Sequence, residues 1–238
     1  MTIDINCDVG EGLDNEHLLM PCISSCSIAC GGHAGDEEAM RKVVNLAVEH
    51  GVKIGAHPSY PDRENFGRRS VKLERQDLIA SIREQVKALE DIVIEKGTAF
   101  FHIKAHGALY NDMARDRSTA EIFLSAIEEY RESVFIYAPY NSEIESLAVS
   151  EGFRIKYEAF ADRNYNDDLS LVPRSAENAV IHDKEKVLEH LLVMIKEGKV
   201  LTTTGNKITI KADTFCLHGD NAHAVEILEF LSKEFKRR

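Results

Sequence analysis

Val52-Lys53-Ile54-Gly55-Ala56-His57-Pro58 is a short apolar run that delivers a histidine and then turns on a proline. Val52–Ala56 has the length and composition of a buried strand, and Pro58 fixes the turn after it. The pattern recurs. Asn6-Cys7-Asp8-Val9-Gly10-Glu11, Ala29-Cys30-Gly31-Gly32-His33-Ala34-Gly35-Asp36, Lys104-Ala105-His106-Gly107, Glu158-Ala159-Phe160-Ala161-Asp162-Arg163 and His218-Gly219-Asp220 each close an apolar run with reactive side chains. Parallel strands deliver their C-terminal ends to one face, so groups far apart in sequence converge there. Such a chain reads as an enzyme.

The strands expected from period and flanking turn residues are Thr2–Cys7, Ser24–Cys30, Val52–Ala56, Phe100–Lys104, Val134–Tyr137, Arg154–Glu158 and Asp213–Leu217. Helical patterns separate them. Asp36 is an expected N-cap before Glu37 and Glu38, with apolar residues at Ala39, Val43, Leu46 and Ala47. Leu78, Ile82, Val86, Leu89 and Val93 form a longer stripe, and Ser118 with Glu121 reads as a capping box before Ile122, Ala126 and Ile127. Asn141 precedes Ile144, Leu147 and Ala148, while Asp183 and Asn221 head the last two helices. Seven strands alternating with helices give a parallel sheet with right-handed crossovers. A doubly wound sheet gathers ligand groups at one crevice, whereas here six of seven strand ends carry them, which favours closure into a TIM-like, seven-stranded β/α barrel. Val200-Leu201 and Lys207–Ile210 around Gly205-Asn206 form an added hairpin.

Residues 1–238, with 44% hydrophobic content and no linker or repeat, suffice for one domain. Against 40 Asp and Glu stand 29 Lys and Arg, a net charge of −11 that argues against nucleic acid as a partner. The basic tail Lys233-Glu234-Phe235-Lys236-Arg237-Arg238 is read as cations at a helix C-terminus. With no apolar run of the ~18 residues a membrane span needs and no signal-peptide pattern, a cytoplasmic location is expected. The five cysteines suggest no disulfide framework. Cys22, Cys26 and Cys30 share a face of an extended segment, but roughly 26 Å separates the outer two at ~3.3 Å per residue, too far for one zinc. They are assigned to the core.

The strand-end motifs, together with Ser59-Tyr60-Pro61-Asp62, Phe66-Gly67-Arg68-Arg69 and Ala108-Leu109-Tyr110-Asn111, resemble the signature blocks of the LamB/YcsF family in order along nearly the whole chain. The resemblance implies a seven-stranded β/α barrel related to glycoside hydrolases and polysaccharide deacetylases. It also implies a subunit that, with two partner subunits (B and C) and ATP as co-substrate, opens the lactam 5-oxo-L-proline to L-glutamate. Two departures from the usual pattern stand out: Gly32 replaces a Phe and Glu37 replaces a Pro, changes expected to alter the apolar lining of the pocket.

Opening a lactam requires attack on an unreactive carbonyl, a stabilised oxyanion and a protonated leaving nitrogen. ATP suits phosphorylation of the lactam oxygen, and the absence of Gly-x-x-x-x-Gly-Lys-[Ser/Thr] excludes a Walker-type loop. Asp8 is expected as general base or metal ligand, with Glu11 as its orienting partner. His33 and Asp36 join the catalytic set from a loop opening a helix, where Asp36 doubles as a cap. His57 and His106 are the best acid/base candidates, and Lys104 lies on the same side of its strand end as His106. Lys104 and Arg163 are the expected phosphate contacts, Asp162 joins the substrate- or phosphate-binding set and points away from Arg163, and the amides of His218-Gly219-Asp220 are candidates to bind a substrate carboxylate or phosphate. The deacetylase relatives bind a divalent metal through an Asp and two His, which Asp8, His57 and His106 would imitate; spacing alone places no metal. Phe66–Arg69 reads as a lid or subunit contact, and His17, His50, His182, His190 and His223 as surface or packing residues. Two other readings fit the same residues: a stand-alone, metal-dependent amide or N-acetyl-sugar deacetylase, and a non-catalytic lactam-binding subunit.

Overall fold

The computed structural model describes residues 2–237, and side chains through residue 235. Strands β1 (Thr2–Ile3), β2 (Ile5–Val9), β3 (Ser25–Ala29), β4 (Lys53–His57), β5 (Phe100–Ile103), β6 (Phe135–Pro139), β7 (Arg154–Phe160), β8 (Lys199–Leu201), β9 (Lys207–Thr209), β10 (Thr214–Cys216) and β11 (Lys236–Arg237) are joined by eight α-helices. These are α1 (Glu16–Leu19), α2 (Glu37–His50), α3 (Arg75–Glu95), α4 (Gly107–Arg115), α5 (Arg117–Ala126), α6 (Glu143–Ser150), α7 (Lys184–Glu197) and α8 (Ala224–Glu234). Seven strands close a barrel in the order β10-β2-β3-β4-β5-β6-β7, every pairing parallel. The expected closure is therefore found. Every residue of β2 and of β3 is buried, as strands covered by helices outside and side chains inside must be.

Outside the barrel, the Leu78, Ile82, Val86, Leu89 and Val93 stripe of α3 is buried as its spacing requires. Each such aliphatic side chain contributes about 1.5–3 kcal/mol by leaving water. Cys26 and Cys30 are buried in the same core and Cys22 packs against it. Inside the barrel, packing is polar and aromatic. His102 stacks on Tyr137 with centroids 3.9 Å apart, bonds Ser27 Oγ through Nε2 at 3.1 Å, and Tyr137 Oη lies 3.0 Å from Ser25 Oγ. Gly55 makes room for this stack, because a Cβ there would run into the His102 ring.

Helix starts depart from expectation in three places. Asp36 and Asp183 cap α2 and α7 as expected, accepting from Ala39 N and Lys186 N. Helix α5, however, is capped by Asp116, whose carboxylate accepts both the amide and the hydroxyl of Thr119; Ser118 already lies inside the first turn. Ser142 rather than Asn141 caps α6, since Asn141 takes a left-handed φ of 60°. Asn221 turns its amide toward Asp162, and α8 starts after His223. The β8–β9 hairpin is present and antiparallel. At the tail, Lys233 alone sits in the last turn of α8, while the backbone of Lys236–Arg237 pairs with Thr2–Ile3; Arg238 lies outside the described residues. No helix among the described residues is long and apolar enough to cross a membrane.

His190, expected to be a packing or surface residue, lies partly buried on α7 against the Tyr165 ring, and burial pushes its pKa down to about 4. A folded-state value below the unfolded one of about 6.5 stabilises the fold above pH 6.5, and that contribution drains away as pH falls from 6.5 toward 4. His190→Gln should flatten this part of the stability–pH curve. Urea midpoints of both proteins at pH 7 and pH 5 read it directly, and an equal drop in the two would remove His190 as the cause.

Candidate active site

At the C-terminal ends of the barrel strands, charged and imidazole side chains meet below solvent. Asp8, His33, His57, Lys104, His106 and Glu158 are each at most 7% exposed. Lys104, at the end of β5, places its ammonium 2.8 Å from Asp8 Oδ1 and 2.9 Å from Glu158 Oε1, with Asn6 Oδ1 and Cys216 Sγ each at 3.2 Å. Its three N–H bonds are thus committed inside the protein, so Lys104 holds the carboxylates together and is not the open phosphate contact expected. Burial opposes ionisation of Asp8, yet the facing His57 and Lys104 outweigh it and hold that carboxyl well below the usual range. For Lys104 burial opposes the charge, and Asp8 foremost restores it, holding the ammonium well above its usual value.

His57 and His106 are oriented by backbone carbonyls. His57 Nδ1 lies 2.8 Å from Lys104 O and His106 Nε2 lies 2.9 Å from Phe66 O. A carbonyl only accepts, so both nitrogens carry hydrogen, leaving lone pairs on His57 Nε2 and His106 Nδ1 in the neutral rings. Those two nitrogens are 3.0 Å apart. Two acceptors at that distance need a proton or another cation between them. Asp8 Oδ2 stands 3.4 Å from His57 Nε2, and Glu11 Oε1 stands 3.4 Å from His106 Nδ1 and 3.1 Å from His33 Nε2. The ligand atoms of Glu11, His33, His57 and His106 all lie within 4.8 Å of one another. Burial and the Asp8 charge raise the Glu11 carboxyl to about 7, so it can exchange a proton near neutral pH. The His33 ring stacks flat on His106 at 3.6 Å, and burial pushes its pKa down to about 2.

The loop after β4 closes this cluster. Phe66 and Gly67 adopt left-handed φ values of 55° and 61°, which turns the Phe66 carbonyl onto His106. A Cβ at Gly67 would lie 3.0 Å from His33 Cβ and 3.1 Å from His106 Cδ2. The segment expected as a lid or subunit contact is thus a wall of the site.

A further imidazole, His218, lines the same chamber. Asp162 Oδ1 accepts from His218 Nδ1 at 2.8 Å, and Asp162 Oδ2 accepts from the His218 amide at 3.3 Å and Asn221 Nδ2 at 3.1 Å. The fully buried Asp162 therefore fixes the His218 tautomer and leaves Nε2 as an acceptor, instead of contacting substrate itself. Because Asp162 takes the His218 amide, that group is not open to an outside anion. His218, Asp8 and Cys216 also offer ligand atoms within 4.8 Å of one another. A chamber of about 320 Å³ is lined by Asp8, His57, His106, Phe160, Arg163 and His218, among others. Arg163 donates to Ala179 O and Val172 O. Asp220 binds Arg68 and Arg174. Asp36 is exposed at the head of α2 and stays outside the cluster, its carboxylate engaged by Ala39 N.

A model of the LamB/YcsF family matches residues 3–238. The chain belongs to the LamB/YcsF family. A relative from Pyrococcus horikoshii, named as the A subunit of 5-oxoprolinase, is 41% identical over 240 residues, 98% of this chain and 93% of its own. The crystal structure of a lactam utilization protein from Thermus thermophilus superposes with a TM-score of 0.90 at 33% identity, covering 98% of this chain and 97% of that one. A β-1,4-mannanase at 12% identity, covering 92% of this chain and 88% of its own, shares the fold with a TM-score of 0.53. The two departures from the usual LamB/YcsF pattern both lie off the chamber. A Cβ at Gly32 would run into Gln85 Oε1 and Ser59 Oγ, and Glu37 pairs with Arg41 on the surface of α2.

Proposed function

We propose that this chain is the A-type subunit of an ATP-dependent 5-oxoprolinase and opens the ring of 5-oxo-L-proline to give L-glutamate. The observation that carries the proposal is that two separately oriented imidazole groups, His218 and the His57–His106 pair, line one small chamber. His218, oriented by Asp162, is placed to take a proton from water. His57 and His106, with Glu11 beside them, are placed to return a proton to the ring nitrogen as its bond to the carbonyl carbon breaks. The water oxygen ends in the new γ-carboxylate and the freed nitrogen becomes the amino group. The name of the P. horikoshii relative supports the substrate class, and its designation as one subunit among others supports partner chains.

ATP enters the proposal as co-substrate. Transfer of the γ-phosphoryl of ATP to the lactam oxygen releases ADP and makes the ring carbon a stronger electrophile; water addition and C–N cleavage then leave an acyl phosphate, which a second water hydrolyses to the γ-carboxylate and inorganic phosphate. The donor set also fits a divalent cation: two imidazole lone pairs 3.0 Å apart and two carboxylates beside them are the nitrogen and oxygen ligands such ions take. Glu11, His33, His57 and His106, whose ligand atoms all lie within 4.8 Å of one another, would hold it, and it would polarise the carbonyl as a Lewis acid.

Glutamate release from 5-oxo-L-proline tests the assignment, using this chain, its two candidate partners and the complete mixture, each with and without ATP. Release confined to the complete mixture with ATP is expected. Release by this chain alone from an N-acetyl sugar, abolished by a chelator, would replace the proposal with the metal-dependent deacetylase.

A further inference from the structure

Four guanidinium groups line the chamber: Arg115 at the end of α4, Arg68 from the loop after β4, and Arg163 and Arg174 from the segment between β7 and α7; the last three carry the argument here. Arg163 is only 5% exposed and donates to two backbone carbonyls, Ala179 O at 3.1 Å and Val172 O at 2.6 Å. Carbonyls satisfy its hydrogen bonds but leave its charge in place. Burial and the neighbouring Arg174 both press against that charge. Arg68 and Arg174 share one carboxylate oxygen, Asp220 Oδ2, at 2.7 Å and 2.8 Å. Asp220 arrives from the loop after β10, so one carboxylate ties together arms of three different loops at the chamber wall. Asp220 pairs with two of these guanidiniums, and the Asp162 that precedes Arg163 is already engaged by His218 and Asn221, so the three cations form a local positive excess within a chain of net charge −11.

We infer that Arg68, Arg163 and Arg174 form a binding site for an oxyanion of the phosphoryl class, in which Asp220 is an internal counter-anion that the ligand displaces. A phosphoryl group has enough acceptor oxygens to offer each guanidinium its own, whereas Arg68 and Arg174 share a single oxygen of Asp220. Asp220, assigned from sequence to the ligand-binding set, is here the competitor of the ligand. The inference concerns ligand charge alone and stands whether or not the ligand is a lactam. Arg68 also lies over the Phe66 ring, 4.9 Å from its centroid, which joins the anion site to the carbonyl that orients His106.

Isothermal titration of the full chain with inorganic phosphate at low salt tests this. Asp220→Asn should tighten phosphate binding by about tenfold, because the competing charge is gone while both arginines remain; Arg174→Gln should weaken it by about tenfold. Both positions are partly exposed, and thermal melts recorded beside the titrations verify folding. If one variant fails to fold, the other still decides the sign. Parallel titrations with ATP and with 5-oxo-L-proline identify the source of the anion: tighter binding of ATP than of phosphate supports the site with a nucleotide as its source. Competition of 5-oxo-L-proline with phosphate supports it with the substrate carboxylate as a second occupant. Absence of phosphate binding in both the unaltered chain and Asp220→Asn, or affinity that Asp220→Asn lowers, overturns the inference.

Discussion

Lys104→Met is expected to cost about 3–5 kcal/mol of folding stability, the largest single loss anticipated in this protein. Lys104 is 2% exposed and sits between two carboxylates, Asp8 and Glu158, that are themselves 7% and 1% exposed. Methionine fills much of the volume but leaves two buried negative charges facing each other with nothing between them. One of the pair must then take up a proton or draw in water, and either response costs free energy. The double variant Lys104→Met with Glu158→Gln removes one of the orphaned charges and should recover a substantial part of the loss. Urea unfolding of the single and double variants measures both effects. A loss below about 1 kcal/mol for Lys104→Met would mean that the three groups are not ionised together as described.

His57→Asn is expected to lower turnover in the complete enzyme by about 10²–10⁴-fold, the usual range for losing a positioned proton donor or acceptor. Asparagine keeps a donor for the Lys104 carbonyl, so the strand end remains anchored, but it removes the lone pair that faces His106 Nδ1. His106→Asn should produce a similar loss, and the double variant should fall little further than either single one, because residues acting as a unit are strongly non-additive. Steady-state glutamate release by the three variants decides the matter. Independent, multiplying effects would separate the two imidazoles into unrelated roles.

Much of the architecture was legible in the sequence because reactive residues terminate strands, and strand ends are where a closed parallel sheet brings distant positions together. Asp8, Glu11, His33, His57, Lys104, His106 and His218 were all marked that way. What each one faces was not legible. Lys104 was read as open to a ligand because nothing local reveals that Asp8 and Glu158, 96 and 54 positions away, close around it. Glu158 itself carries a signal, a charged residue at the expected C-terminal end of the Arg154–Glu158 strand, yet it is not among the expected site residues. The carbonyl of Phe66 has no signature of its own; its role depends on two successive left-handed residues in a long loop. His102 is similar: it fills the barrel only because Gly55 on the neighbouring strand leaves the space. Asp36 shows the opposite error, since a sound N-cap reading was extended into a catalytic one that its exposed position does not support.

The most direct test of the central claim is a crystal structure of this chain soaked with 5-oxo-L-proline. Lactam density in the chamber beside Phe160, with the ring between His218 and the His57–His106 pair, is the predicted result. A well-ordered lactam bound elsewhere on the molecule, with the chamber holding only solvent, would contradict it.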